Sequence, residues 1–283
     1  MCIRDSVCTG PAISRNGCSS RGGGVSVMRR QRSAPIPTLQ EAQQFDWSTA
    51  TAKQRGIYGF DSRDVRSRPF NMLRSRLMKL HRNKGWRLFG IVSATPGVGK
   101  SFIATNLAAA LSRTPGVDTT LLDLDLRRGS IASNFGIPVE RGMRNFLEGT
   151  VPTLGELAVH PEGERLVILP TDNAPARSAE LLSSPRMDAM VASMRARPTH
   201  SLFLCDLPPV FANDDAAIIT TKLDAFIMIV EEGRTTRKQI QDALHVLDQA
   251  PCAGVVLNRF DGGLLADSYG YGYGAGYSDY YNK

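Results

Sequence analysis

The sequence predicts an α/β protein, a doubly wound and mainly parallel sheet with helices on both faces, as a single domain with flexible termini. Three observations predict it. From Trp86 onward, short apolar runs alternate with stretches of helical character. The runs are continuously apolar, as expected of strands covered on both faces. A glycine-rich turn and several aspartates fall where strands end, at the edge of an open sheet where ligands bind.

The elements follow in order. Residues 1–45 are rich in Gly, Ser, Arg and Pro and lack apolar periodicity, so a disordered basic segment is expected there. Met1-Cys2-Ile3-Arg4-Asp5-Ser6 reads as translated sequencing-adapter sequence, which makes Met28 the expected true start. Residues 46–85 are expected to form a linker ending in an amphipathic helix. Phe70, Leu73, Leu77 and Leu80 recur at helical spacing, and Gly85 supplies the stop. Residues 86–262 form the body, with strands expected at 88–93, 119–124, 166–169, 202–205, 225–230 and 253–257. Helices are expected at 101–112, 186–195, 214–221 and 236–248. Residues 263–283 are a low-complexity tail holding Tyr269, Tyr271, Tyr273, Tyr277, Tyr280 and Tyr281. Gly, Ala, Ser and Asp separate these tyrosines, so they cannot form one helical stripe.

Composition limits the function classes. A chain of 283 residues with 42% hydrophobic content buries a full core without crosslinks. The five cysteines form no C-x-x-C pair and stand near no histidine cluster, which argues against zinc. Cys205 and Cys252 lie in apolar runs and are expected as small core side chains. No run approaches the length of a membrane-spanning helix, and residues 1–24 lack the apolar centre of a secretory signal. Charge is uneven: residues 1–90 hold 17 Lys/Arg against 5 Asp/Glu, and residues 91–283 hold 17 against 22. A basic arm suits anionic lipid, nucleic acid or an acidic protein, and equally a solvated tail.

Ala94-Thr95-Pro96-Gly97-Val98-Gly99-Lys100-Ser101 lies between an expected strand and an expected helix, as a P-loop does. Gly97 and Gly99 let the backbone curl so that N–H groups converge on phosphate oxygens. The helix N-terminus adds its positive dipole end. Lys100 is expected to reach the β- and γ-phosphates and Ser101 to ligate Mg²⁺. The expected nucleotide-binding set is Pro96, Gly97, Val98, Gly99, Lys100, Ser101 and Phe102, with Asn258 from the last strand. Downstream, Leu121-Leu122-Asp123-Leu124-Asp125-Leu126-Arg127 delivers two carboxylates at a strand end. Beside a triphosphate they suit Mg²⁺ and a proton acceptor. A third strand ends in Asp206, and Leu207-Pro208-Pro209 then turns the chain away.

These motifs together resemble the bacterial tyrosine kinases of polysaccharide synthesis, capsular-type autokinases on a P-loop fold of the MinD/ParA-like superfamily. The resemblance covers about residues 65–283 and includes Asp215-Ala216, Gly233-Arg234-Thr235-Thr236, Gly254 to Arg259 and the tyrosine cluster. It implies ATP and Mg²⁺ as cofactors, with Lys100, Asp123, Asp125 and Asp206 catalytic. Ser101, Asp125 and Asp206 would hold the metal, Asp206 through water. Asp123 would accept the tyrosine proton, and Asn258 would meet the adenine edge. The tail tyrosines would be the phosphoacceptors. The resemblance further implies a cytoplasmic protein at the inner face of the membrane, a transmembrane polysaccharide co-polymerase as activating partner, and a possible homo-oligomer. Family members usually build that oligomer through a Glu-x-x-Arg-x-x-Arg helix; here the residues are Arg68, Asn71 and Arg74. Val98 and Leu207 depart from residues usual at those positions.

Other readings make different demands. Partitioning ATPases carry a signature lysine where this chain has Thr95. An ATP-binding regulatory subunit, catalytically weak or inactive, fits the altered helix but not the retained Lys100, Asp123, Asp125 and Asp206. Specific nucleic-acid binding is not expected, because the tyrosine tail carries one Lys and two Asp and offers no basic groove.

Overall fold

A computed structural model describes residues 34–172 and 177–260. The strands are β1 (Gln43–Phe45), β2 (Leu88–Ser93), β3 (Asp118–Asp123), β4 (Val159–Pro161), β5 (Leu166–Leu169), β6 (Ser201–Asp206), β7 (Ala225–Glu231) and β8 (Cys252–Asn258). The helices are α1 (Thr49–Gln54), α2 (Arg68–Lys84), α3 (Lys100–Ser112), α4 (Ile131–Phe135), α5 (Met143–Glu148), α6 (Ser178–Leu182), α7 (Pro185–Ala196), α8 (Asp215–Thr220) and α9 (Arg237–Val246). The sheet runs β1-β4-β5-β3-β6-β2-β7-β8, and every neighbouring pair is parallel except β4–β5.

Alternation along the central strands builds two apolar layers. Leu88, Val92, Leu122, Phe203, Phe226 and Met228 face one layer, which α7 covers with Met187, Met190 and Met194. Phe89, Ile91, Leu121, Leu202, Leu204 and Ile227 face the other, covered by α3. All but two residues of α3 are buried, and its run of alanines lets it lie between the sheet and α2. Both faces being covered explains why these strands read as unbroken apolar runs.

The helix expected before Gly85 forms as α2, burying Phe70 and Leu77. Gly85 takes the left-handed conformation that ends it, its N–H donating to His81 O at 2.8 Å. Asn71 and Arg74 face α3: Asn71 Oδ1 accepts from Arg113, and Arg74 Nη1 donates to Ala110 O at 3.4 Å.

The structure corrects three expectations. Residues 34–45 are not disordered: Ala34, Ile36 and Ala42 are buried, and β1 pairs with β4 at the sheet edge. Three residues of strand and isolated apolar side chains left too little periodicity to see. Residues 46–67 are no free linker either. Buried Asn106 of α3 holds them, accepting from Tyr58 N at 2.7 Å and Gly59 N at 3.1 Å and donating to Gly56 O at 3.0 Å. Cys252 is exposed, unlike Cys205, because β8 is an edge strand. Among the described residues no helix is long and apolar enough to cross a membrane.

Candidate active site

The order β3-β6-β2 sets the C-terminal ends of three strands side by side. Asp123 is in register with Asp206, and Asp206 with Ile91. The turn after β2 therefore opens beside both aspartates. Gly97 and Gly99 in this turn have φ of +81° and +88°. Gly99 also needs the space: a Cβ there would lie 2.2 Å from Asn258 Nδ2. Asn258, at the end of β8, donates from Nδ2 to Val98 O at 2.8 Å and so braces the turn from behind.

Lys100 starts α3 and is buried. Its Nζ donates to Asp206 Oδ1 at 2.7 Å, lies 3.9 Å from Asp125 Oδ2 and 3.4 Å from Ser101 Oγ. One cation thus serves two carboxylates, with Asp123 close behind. β3 ends at Asp123, one residue earlier than expected, so Asp125 reaches the centre from a loop rather than from the strand. Asp123 organises that loop: its Oδ1 accepts from Asp125 N at 3.3 Å and its Oδ2 from Ile131 N at 3.1 Å. Gly129 packs against it so closely that a Cβ would lie 2.7 Å from Asp123 Oδ2.

Burial, reinforced by the Asp206 charge, holds the Asp123 carboxyl well above the usual carboxylate range. Burial also raises Asp125, against the pull of Lys100. Two features suit this centre to a divalent cation. Two carboxylates pair with one ammonium, with the buried Asp123 beside them, and Asp206 Oδ2 has no hydrogen-bond partner among the described residues. Among the described residues no three His, Cys, Asp or Glu side chains converge as a metal cage. A cation shared with phosphates needs none, since Mg²⁺ usually takes one or two carboxylates plus phosphate oxygens and water.

Of the expected set, Pro96 to Ser101, Asp123, Asp125, Asp206 and Asn258 come together. The Phe102 ring instead packs edge-on against Phe70 and Tyr58, with centroids at 5.8 and 6.5 Å. The six tail tyrosines lie outside the described residues. Two further residues stand at the rim without an assigned part. Arg234 Nη1 lies 3.7 Å from the point where a Cβ on Gly97 would sit. Arg127 is anchored to Ser178 and Asp215. Both belong to motifs visible in the sequence, but neither spacing says which way a long side chain points.

Residues 89–269 match the CobQ/CobB/MinD/ParA nucleotide binding domain, CbiA. EpsB of Ralstonia nicotianae is 33% identical over 239 residues, covering 82% of this chain and 31% of that protein. The chain thus spans about a third of the length of that relative. The tyrosine-protein kinase CpsD of Streptococcus pneumoniae is 30% identical over 196 residues, covering 68% of this chain and 83% of CpsD. The crystal structure of the VpsO kinase domain superposes with a TM-score of 0.62 at 26% identity, over 76% of this chain and all of that one. The chain therefore belongs to the CobQ/CobB/MinD/ParA nucleotide-binding family, among relatives named as tyrosine-protein kinases.

Proposed function

We infer that the chain is an ATP-dependent protein-tyrosine kinase that phosphorylates its own C-terminal tyrosines and so regulates exopolysaccharide or capsule polymerisation and export. The observation that carries this is the buried Lys100–Asp206–Asp125 centre beside a phosphate-binding turn, in a chain ending in six tyrosines. The relatives' names, CpsD and EpsB among them, support the tyrosine-kinase activity; the polysaccharide setting follows from the family resemblance of the motifs.

The chain's own residues divide the work. Backbone N–H groups of Gly97 to Ser101 hold the β- and γ-phosphates at the start of α3. Lys100 leaves Asp206 for the triphosphate and offsets charge that builds on the transferred group. Ser101 and Asp125 would hold Mg²⁺, with Asp206 behind a water. Bound there, Mg²⁺ would supply charge neutralisation for the transferred group. Asp123 is the proton acceptor for the tyrosine hydroxyl, the part that the family resemblance implies for it. Asn258 positions the turn and can present its remaining amide oxygen to the nucleotide. Each phosphate added to the tail brings about −1.5 to −2 charges, enough to loosen an assembly of copies.

The protein works from the cytoplasmic face of the membrane, held there by a transmembrane co-polymerase that activates it, with the basic arm meeting anionic lipid. The test is phosphotyrosine formation by the purified chain with Mg·ATP, beside Lys100→Met. Signal in the first and not the second supports the kinase. Nucleotide binding without phosphotyrosine in either means an ATP-binding regulatory subunit instead.

A further inference from the structure

We propose that Arg127 reads an acidic side chain beside the acceptor tyrosine, so that the chain prefers tyrosines lying one or two positions after an aspartate. The proposal rests on the tyrosine-kinase reading above and adds its acceptor preference.

Arg127 stands two residues after Asp125, on the loop that carries the carboxylates. Its Nε donates to Ser178 Oγ at 2.6 Å and lies 3.8 Å from Asp215 Oδ2. Both anchors are buried, Asp215 to 1% exposure, and they come from separate helices, α6 and α8. Asn213 Nδ2 fixes Asp215 in turn, donating to Oδ2 at 2.9 Å. Among the described residues Asp215 Oδ1 has no hydrogen-bond partner, and Arg127 is the cation paired with the carboxylate. Beyond Nε the side chain reaches solvent, 53% exposed, and neither terminal amino group makes a hydrogen bond with a described residue.

A guanidinium pinned at Nε and open at both Nη atoms presents a fork that fits a carboxylate bidentately. Its surroundings give that fork a purpose. Asp123, Asp125 and Asp206 make the adjacent centre acidic, so an acidic acceptor segment would be repelled unless a cation met it at the rim. The chain's own acceptors are of that kind. Asp267-Ser268-Tyr269 and Asp279-Tyr280-Tyr281 place an aspartate one or two positions before tyrosine, and these two aspartates are the acids of residues 263–283.

The test measures binding, so it does not depend on turnover. A fluorescent peptide of residues 263–283 with every tyrosine as phenylalanine is titrated with the full chain and a non-hydrolysable ATP analogue. A second peptide carries Asp267→Asn and Asp279→Asn as well. The wild-type chain is expected to bind the second peptide about tenfold more weakly, as for loss of a charged hydrogen bond. Arg127→Gln should bind both peptides equally, at the weaker level, and Arg127→Lys should recover part of the preference. Equal binding of both peptides by wild type, or a preference that survives in Arg127→Gln, overturns the proposal. Melting temperature of each variant checks that the fold is intact. If the peptides are discriminated but Mg·ATP yields no phosphotyrosine on wild type, the kinase reading fails and the acidic-peptide site stands.

Discussion

Replacing Lys100 with methionine removes the ammonium paired with Asp125 and Asp206. At the observed 2.7 Å to Asp206 and 3.9 Å to Asp125, with an effective dielectric constant of about 20, the gross attractions are about 6 and 4 kcal/mol. Desolvation of Lys100 itself offsets much of this, and breaking a buried pair from one side typically costs about 3–5 kcal/mol. For a domain of this size that lowers the melting temperature by roughly 10 °C. The sign depends on pH. Lys100 pulls protons off Asp123 and Asp125, so its loss drives both carboxyls further above their ordinary range. The folded variant then takes up protons more readily than the unfolded chain, and its deficit shrinks as pH falls. The assay is thermal unfolding of nucleotide-free protein at pH 8 and pH 5.5, with wild type, Lys100→Met and Lys100→Met/Asp206→Asn. The single variant should melt well below wild type at pH 8 and closer to it at pH 5.5, and the double variant should regain part of the loss. A Lys100→Met protein that melts with wild type at pH 8, or a deficit that grows on acidification, refutes the reasoning.

Gly99→Ala forces a side chain into a left-handed conformation, at about 1–2 kcal/mol, and drives Asn258 off Val98. Calorimetry should show nucleotide binding weakened more than tenfold. Adding Asn258→Ala should relieve the crowding and leave the backbone cost. Burial pushes the Glu164 carboxyl up to about 7 from the ordinary 4.5, with Arg113 opposing. A raised acid destabilises the fold above its folded-state value, and stability returns as pH falls from about 7 towards 4.5. Glu164→Gln should therefore melt higher than wild type at pH 8 and level with it at pH 4.5. Asp125→Asn should raise the Mg²⁺ concentration needed for half-maximal phosphotyrosine formation, measured against free metal, while EDTA abolishes the signal in wild type.

The sheet was legible because its central strands are covered on both faces and are mostly apolar, with polar residues gathered towards their ends. β1 and β4 escaped notice because each has only three residues, too few for an alternating pattern to show. The short helices α4, α5 and α6 escaped for a related reason: five or six residues give too few turns for a period of 3.6 to show. The site was legible further, since turn chemistry and strand ends fix where Lys100, Asp123 and Asp206 must lie. What spacing did not carry was partnership. That Asp123 gives both oxygens to backbone N–H groups depends on how the loop to α4 folds. Likewise, Phe102 packs its ring against Phe70 because α2 docks on α3, a contact made across about 30 residues of chain.

The central claim is that this centre transfers phosphate to the tail. Tandem mass spectrometry of the purified chain after incubation with Mg·ATP tests it most directly, with Lys100→Met alongside. The account predicts phosphate on one or more of Tyr269, Tyr271, Tyr273, Tyr277, Tyr280 and Tyr281 in wild type and none in the variant. An unmodified tail on a wild-type chain that binds the nucleotide, or equal modification of both proteins, would contradict it.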